Sequence, residues 1–155
     1  GYQAVLDLDP KRAPTLNNLA WLLATCPDRR LRDPARAVEL AKRATELAPQ
    51  YGYLWNTRGV AHYRAGDWDA ARTALETSIA RYAGRPERST LESFSTFFLA
   101  MAHARLGNAA EARRWYNRAV RWMEQYQPAD LELRRFRAEA EELLNRGKDS
   151  ETNRR

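Results

Sequence analysis

Along Gly52–Tyr82, GYLWNTRGVAHYRAGDWDAARTALETSIARY, apolar and small residues recur three and four positions apart on either side of Gly66–Asp67. That spacing predicts two amphipathic helices around a tight turn, the second capped by Asp67. The pattern returns downstream, where Ala100, Gly107, Ala112, Tyr116 and Ala119 keep the offsets of Gly59, Gly66, Ala71, Leu75 and Ser78. Upstream, Leu19, Ala20, Ala37, Ala41, Ala44 and Pro49 hold the equivalent places, with the turn enlarged to CPDRRLRD at Cys26–Asp33. Three copies of one helical hairpin are therefore expected. Small residues at Ala20, Gly59 and Ala100 let the first helix of each hairpin approach the second, whose own small residues are Ala37, Ala71 and Ala112. Bulk there would force the hairpin open.

The ends extend the pattern. Tyr2, Val5 and Pro10 match the end of a second helix, so the chain is expected to start inside a repeat, as a piece of a longer protein. Pro128 stops a long helix, and Asp130 caps a last one whose apolar stripe is Leu133, Phe136, Ala140, Leu143 and Leu144. Arg135/Glu139 and Arg137/Glu141 stand four apart on what reads as its wet side. KDSETNRR has nothing apolar to bury and reads as disordered. The expected division is 1–12, the end of a truncated upstream repeat; 13–51, repeat 1; 52–92, repeat 2 plus linker; 93–127, repeat 3; 128–146, a capping helix; and 147–155, a tail.

Composition sharpens this to an all-α chain. Ala, Leu, Arg and Glu dominate, and the β-branched rows of a sheet protein are missing. The net charge of +6 makes an acidic partner or a nucleic acid conceivable, yet the bases are spread along the chain. All 26 are Arg except Lys11, Lys42 and Lys148. The single cysteine, Cys26, permits no intrachain disulfide. With no long apolar run and no signal-type start, the expectation is a cytoplasmic chain that does not enter membranes.

A helical-hairpin period of about 34 residues, with small residues at the crossing and Pro at the end, is the signature of tetratricopeptide repeats. The chain resembles that family through Trp55, Gly59, Gly66, Ala71 and Leu75 in the second copy, and through Leu19, Ala20, Ala37, Ala44 and Pro49 in the first. The third copy resembles it through Leu99, Ala100, Gly107, Ala112, Tyr116 and Ala119. A finer resemblance, carried by LAWLLATCPD, RDPARAVELA, GVAHYRAGDW, FFLAMAHARLG and LRRFRAEAEELL, is to the repeat tails of bacterial serine/threonine protein kinases of the eukaryotic type. No kinase motif is present in this chain.

The family resemblance implies an α-solenoid, a superhelix of stacked hairpins whose first helices line a concave groove that holds a peptide or partner domain. By repeat offset that groove would be lined by Asn17 and Trp21, with Thr25 beside them, from the first copy. The second would supply Asn56, Val60, Tyr63 and Arg64, and the third Phe97, Met101 and Arg105, with Ala104 between. Asn suits a peptide backbone, Arg a carboxylate, and the aromatic residues an apolar side chain. Co-chaperones of this family hold a terminal carboxylate with Lys and Asn; Asn17 and Asn56 are here without the lysines. An apolar or mixed peptide, or a folded domain, is therefore the expected partner.

Catalytic chemistry finds little support. His62 and His103 fall at the same place in successive repeats, which argues for a shared packing role and leaves any metal site short of ligands. Cys26 follows an apolar helix and reads as an inert thiol. The chain is expected to be no enzyme, with no cofactor or metal. Two alternatives remain. Arg114, Arg118 and Arg121 on one helix, with Arg29, Arg30 and Arg32 in the enlarged turn, would serve nucleic acid or an acidic surface. Self-association would use apolar surface left at a truncated repeat end. Arg58 departs from the pattern, standing where the equivalents are Leu19 and Leu99. Buried in the hairpin it would have to snorkel, pair with an acid such as Asp67 or Asp69, or weaken the repeat, and Arg58→Leu is expected to raise the melting temperature.

Overall fold

The periodicity becomes seven α-helices in a computed structural model that describes residues 12–82 and 88–154. They are α1 (Ala13–Thr25), α2 (Pro34–Leu47), α3 (Gly52–Arg64), α4 (Trp68–Tyr82), α5 (Arg88–Arg105), α6 (Ala109–Tyr126) and α7 (Leu131–Thr152). A single 3-10 turn, Arg29–Leu31, sits inside the enlarged connection. Among the described residues there is no strand. The proposed end of an upstream repeat lies outside the described residues except for Arg12.

Caps explain where the helices start. The carboxylates of Asp33, Asp67 and Asp130 accept from the backbone N–H groups of Arg36, Ala70 and Leu133, at 3.1, 3.3 and 2.9 Å. The two short turns are built alike. Gly66 and Gly107 both take φ of 83°, a left-handed conformation that glycine adopts without a Cβ penalty. The next N–H then reaches back to the carbonyl of His62 (3.0 Å) or His103 (2.8 Å), a Schellman closure that satisfies helix-end acceptors. The first connection lacks such a glycine and needs a longer path, closed by the Asp33 N–H on the Leu23 carbonyl at 3.0 Å.

Helices α1 and α2, α3 and α4, and α5 and α6 pair as hairpins, which stack through α2 on α3 and α4 on α5. Ala20, Ala37, Ala71, Ala100 and Ala112 are wholly buried at the crossings. At Gly59 the approach is tighter still: a Cβ there would lie 2.5 Å from Cγ of Leu75, itself fully buried. The hydroxyl of Ser78 donates to the Gly52 carbonyl at 2.8 Å, and Ser95 donates to Asn56 Oδ1 at 2.8 Å, so these interior hydroxyls are paired.

Helix α7 departs from the expected capping helix in two ways. Its stripe is buried as predicted, with Leu133, Phe136 and Ala140 fully enclosed. Yet it packs more on α5 than on α6 and reaches α1 and α3 from the concave side. Arg135 and Glu139 are therefore half-buried and bonded within the protein: Arg135 donates to the Thr25 carbonyl at 2.9 Å, and Glu139 pairs with Arg64. Arg137 and Glu141 do meet, at 3.4 Å. The residues read as a disordered tail continue the helix to Thr152, with Gly147 inside it and the Ser150 and Thr152 hydroxyls bonded to carbonyls one turn back.

Candidate interaction face

The first helices of the hairpins, α1, α3 and α5, present the side chains that the repeat offsets placed in the groove. The face they form is largely closed. Trp21 of the first repeat meets Phe94 of the third edge-on at 5.7 Å between ring centroids. Phe136 of α7 completes the cluster, edge-on to Trp21 at 6.1 Å, to Phe94 at 5.9 Å and to Phe98 at 4.8 Å. Such edge-to-face packing adds to the burial itself. Beside it, Glu132 is half-buried against Trp21, and burial pushes its carboxyl above the ordinary glutamate value.

The predicted groove residues separate accordingly. Val60, Phe97 and Met101 are completely buried, Phe97 against Tyr116 of α6, and do not reach the face. Asn56 is buried with its Oδ1 taken by Ser95, so in this conformation its acceptor is engaged within the protein rather than offered to a peptide backbone. Thr25 is buried too, its hydroxyl donating to the Trp21 carbonyl. Asn17 is half-buried, and its Oδ1 has no hydrogen-bond partner among the described residues. Tyr63 packs edge-on to Phe98, and burial pushes its phenol up.

Arg64 is the hub. Only 9% of its side chain is exposed, and it donates to the Ala24 carbonyl at 3.1 Å and, through both terminal nitrogens, to the Glu139 carboxylate. A two-pronged guanidinium–carboxylate contact of this kind fixes direction as well as distance. One side chain of the second repeat thereby ties the first repeat to α7. Arg105, exposed, lies 5.5 Å over the Trp68 ring, with its Nε 3.5 Å from the Tyr63 hydroxyl.

At the turn end of the face, a cavity of about 360 Å³ opens among Arg29, Arg32, Arg64, Arg105, Trp68 and Glu139. Arg32 donates to the Cys26 carbonyl at 2.7 Å, and burial together with the Arg64 charge pulls its guanidinium below the ordinary value. Neither Trp68 nor Glu139 was among the residues inferred from the repeat offsets, nor were Phe94, Phe98 and Phe136. Phe136 lies on the α7 stripe, and it marks this face only once α7 is known to lie on this side.

The other singled-out residues have local explanations. Arg58 is only half-buried and donates to the Thr45 hydroxyl at 2.9 Å, with its guanidinium 5.0 Å over the Trp55 ring. Its partners are thus on α2 and its own helix, not Asp67 or Asp69. His62 and His103 are buried at equivalent turn positions, and Asn108 meets His103 Nδ1 at 3.2 Å. Along α6, Arg114 pairs with Glu111 and Arg118 with the buried Glu92, which breaks up the proposed basic row. Among the described residues, no group of His, Cys, Asp and Glu is placed to hold a metal, and no helix is long and apolar enough to cross a membrane.

Comparison with known proteins agrees with this architecture. Residues 51–125 match the tetratricopeptide repeat family model. No curated protein matches the sequence. Among solved structures, the first TPR domain of the human RPAP3 protein, determined by NMR, is similar with a TM-score of 0.62. The two share 16% identity over 92% of this chain and 99% of that one, which speaks to the fold. Repeats of this kind generally mediate protein–protein interaction through the surfaces their stacking creates. Residues 51–125, in the second and third hairpins, are thus similar to tetratricopeptide repeats, within an all-α solenoid of stacked helical hairpins.

Proposed function

We propose that this chain is a protein-interaction module whose concave face receives a segment of a partner protein, with α7 as a built-in occupant of part of that face. The observation that carries the reading is the seat of α7: Phe136 fills an aromatic socket of Trp21, Phe94 and Phe98, while Glu139 is gripped by Arg64. A face that holds an amphipathic helix by one aromatic anchor and one charge pair has the chemistry of helix-in-groove recognition. The exposed Arg105 marks a part of the face left to a partner. The finer resemblance to bacterial kinase tails would make the module a recruiting arm of a larger chain, and its charged helix surfaces suit work in the cytoplasm.

Photo-crosslinking residues placed singly at Asn17 and Arg105, and on the outer faces at Lys42 and Arg81, test this in extract of the source cells. The same polypeptide is expected from both concave positions and from neither outer one. Labelling confined to Lys42 and Arg81 would move the interface to the convex side and end the proposal. Nucleic-acid binding has less support, because Arg114 and Arg118 of α6 are engaged by carboxylates.

A further inference from the structure

The cavity at the turn end brings together four guanidinium groups and a single carboxylate. That carboxylate, Glu139, is already held by both terminal nitrogens of Arg64. Arg29 and Arg105 have no carboxylate within ion-pair distance among the described residues, and Arg32 is bonded only to a backbone carbonyl. The cluster therefore carries unmatched positive charge in a concave site, where low-dielectric walls intensify it. We propose that this cavity is a binding site for a phosphate dianion.

Charge and shape both favour phosphate over a carboxylate. A carboxylate brings one negative charge, whereas a phosphate monoester brings about 1.5 to 2 at neutral pH and three acceptor oxygens. Guanidinium forks match those oxygens in pairs, which a point-like ammonium does not. The arginines arrive from separate elements. Arg29 and Arg32 come from the enlarged first turn, Arg64 from the end of α3 and Arg105 from the end of α5. The enlargement of that turn thereby acquires a use, since it carries two of the four. The space of about 360 Å³ exceeds what the ion alone would fill, and the Trp68 ring forms an apolar wall for whatever carries it. A second cavity, about 540 Å³, shares Trp68 and Arg105 and adds Lys148 and Arg154 of the terminal helix region.

The phosphate has two conceivable sources, a phosphorylated side chain of a partner or the free ion, and only the first rests on the interaction reading above. Titration calorimetry and the arginine Nε–H resonances of the full chain, at fixed ionic strength, address both. The probes are inorganic phosphate, a degenerate peptide library centred on phosphoserine, the same library with serine, and acetate. Phosphate or the phosphoserine library is expected to bind and to shift the Nε–H signals of Arg29, Arg32, Arg64 and Arg105. The serine library and acetate are expected to bind at least about tenfold more weakly. Arg29→Gln and Arg105→Gln, both at exposed positions, are each expected to cost about tenfold in affinity with an unchanged melting temperature, while Arg121→Gln on α6 costs nothing. Tighter binding of the phosphopeptide identifies a partner's phosphoresidue, and equal or tighter binding of the free ion identifies the ion. No binding by either phosphate probe, or binding indifferent to both cavity variants, overturns the site, whatever the cross-linking result.

Discussion

Arg58 shows how one side chain can satisfy itself where a repeat pattern calls for leucine. Its Nη1 meets the Thr45 hydroxyl and its plane covers Trp55, so the charge is solvated by the protein's own surface. Arg58→Leu is therefore expected to lower stability by about 1 kcal/mol rather than raise it. Thr45→Val made in the same background should show the two losses overlapping in a denaturant double-mutant cycle. The histidines make a second residue-scale case. Burial disfavours the charged ring at His62 and His103, and their pKa values lie below the ordinary 6.5. Around His62 stand Arg58, Lys42 and Asp67, and around His103 stand Glu111, Glu76, Arg72 and Arg114. As pH falls through 6.5 the unfolded chain takes up these protons first, so their contribution is complete above that value and is lost on the way down to the folded pKa. Urea midpoints should drop between about pH 7.5 and pH 5.5, and the double variant His62→Gln/His103→Gln should flatten the drop.

At the scale of elements, the hairpins were legible because they depend on local rules. The Gly66 and Gly107 turns, the Asp67 and Asp130 caps and the small residues at the crossings each leave a sign at a set spacing. The position of α7 left no such sign. Its stripe of Leu133, Phe136 and Ala140 states that one side must be buried but not against what. Where it docks is decided by how tightly three hairpins curl, a sum of small rotations that no single position records. The same gap misplaced Arg135 and Glu139, since a polar pair on a helix reads as wet unless a second surface is known to face it. It also opened the groove on paper: Val60, Phe97 and Met101 have the right offsets but turn into the packing. The polar tail stayed helical because α7 simply propagates, Gly147 costing only about 1 kcal/mol against alanine. Phe136→Ala, which empties the aromatic socket, is expected to cost about 3 to 5 kcal/mol. Hydrogen exchange should show α7 losing protection first, with the α3–α4 hairpin keeping the most.

The whole molecule is less one-dimensional than its repeats. An open array transmits stability only between neighbours, so damage at one end fades within a repeat or two. Here Arg135 bonds to the Thr25 carbonyl and Phe136 touches Trp21, joining residues far apart in sequence. The Phe136→Ala loss of protection is therefore expected in α1 as well as in α5, and Arg64→Ala should spread in the same way because Arg64 holds both Ala24 and Glu139. Loss confined to α5 and α7 would mean that the first repeat is held by its own stacking alone. Long-range closure also predicts slower folding than an open array of equal length, because the contacts that join the ends must await the rest.

The contact of Trp21 with Phe136 has one more consequence, in mechanical terms. A spring of stacked hairpins stretched from its ends gives way coil by coil. This one is fastened across its own opening, so a load applied between α1 and α7 bears on the clasp before it bears on any coil. In an optical trap the wild-type chain should hold its length and then open in a single large step, whereas Phe136→Ala should lengthen early and in several small ones.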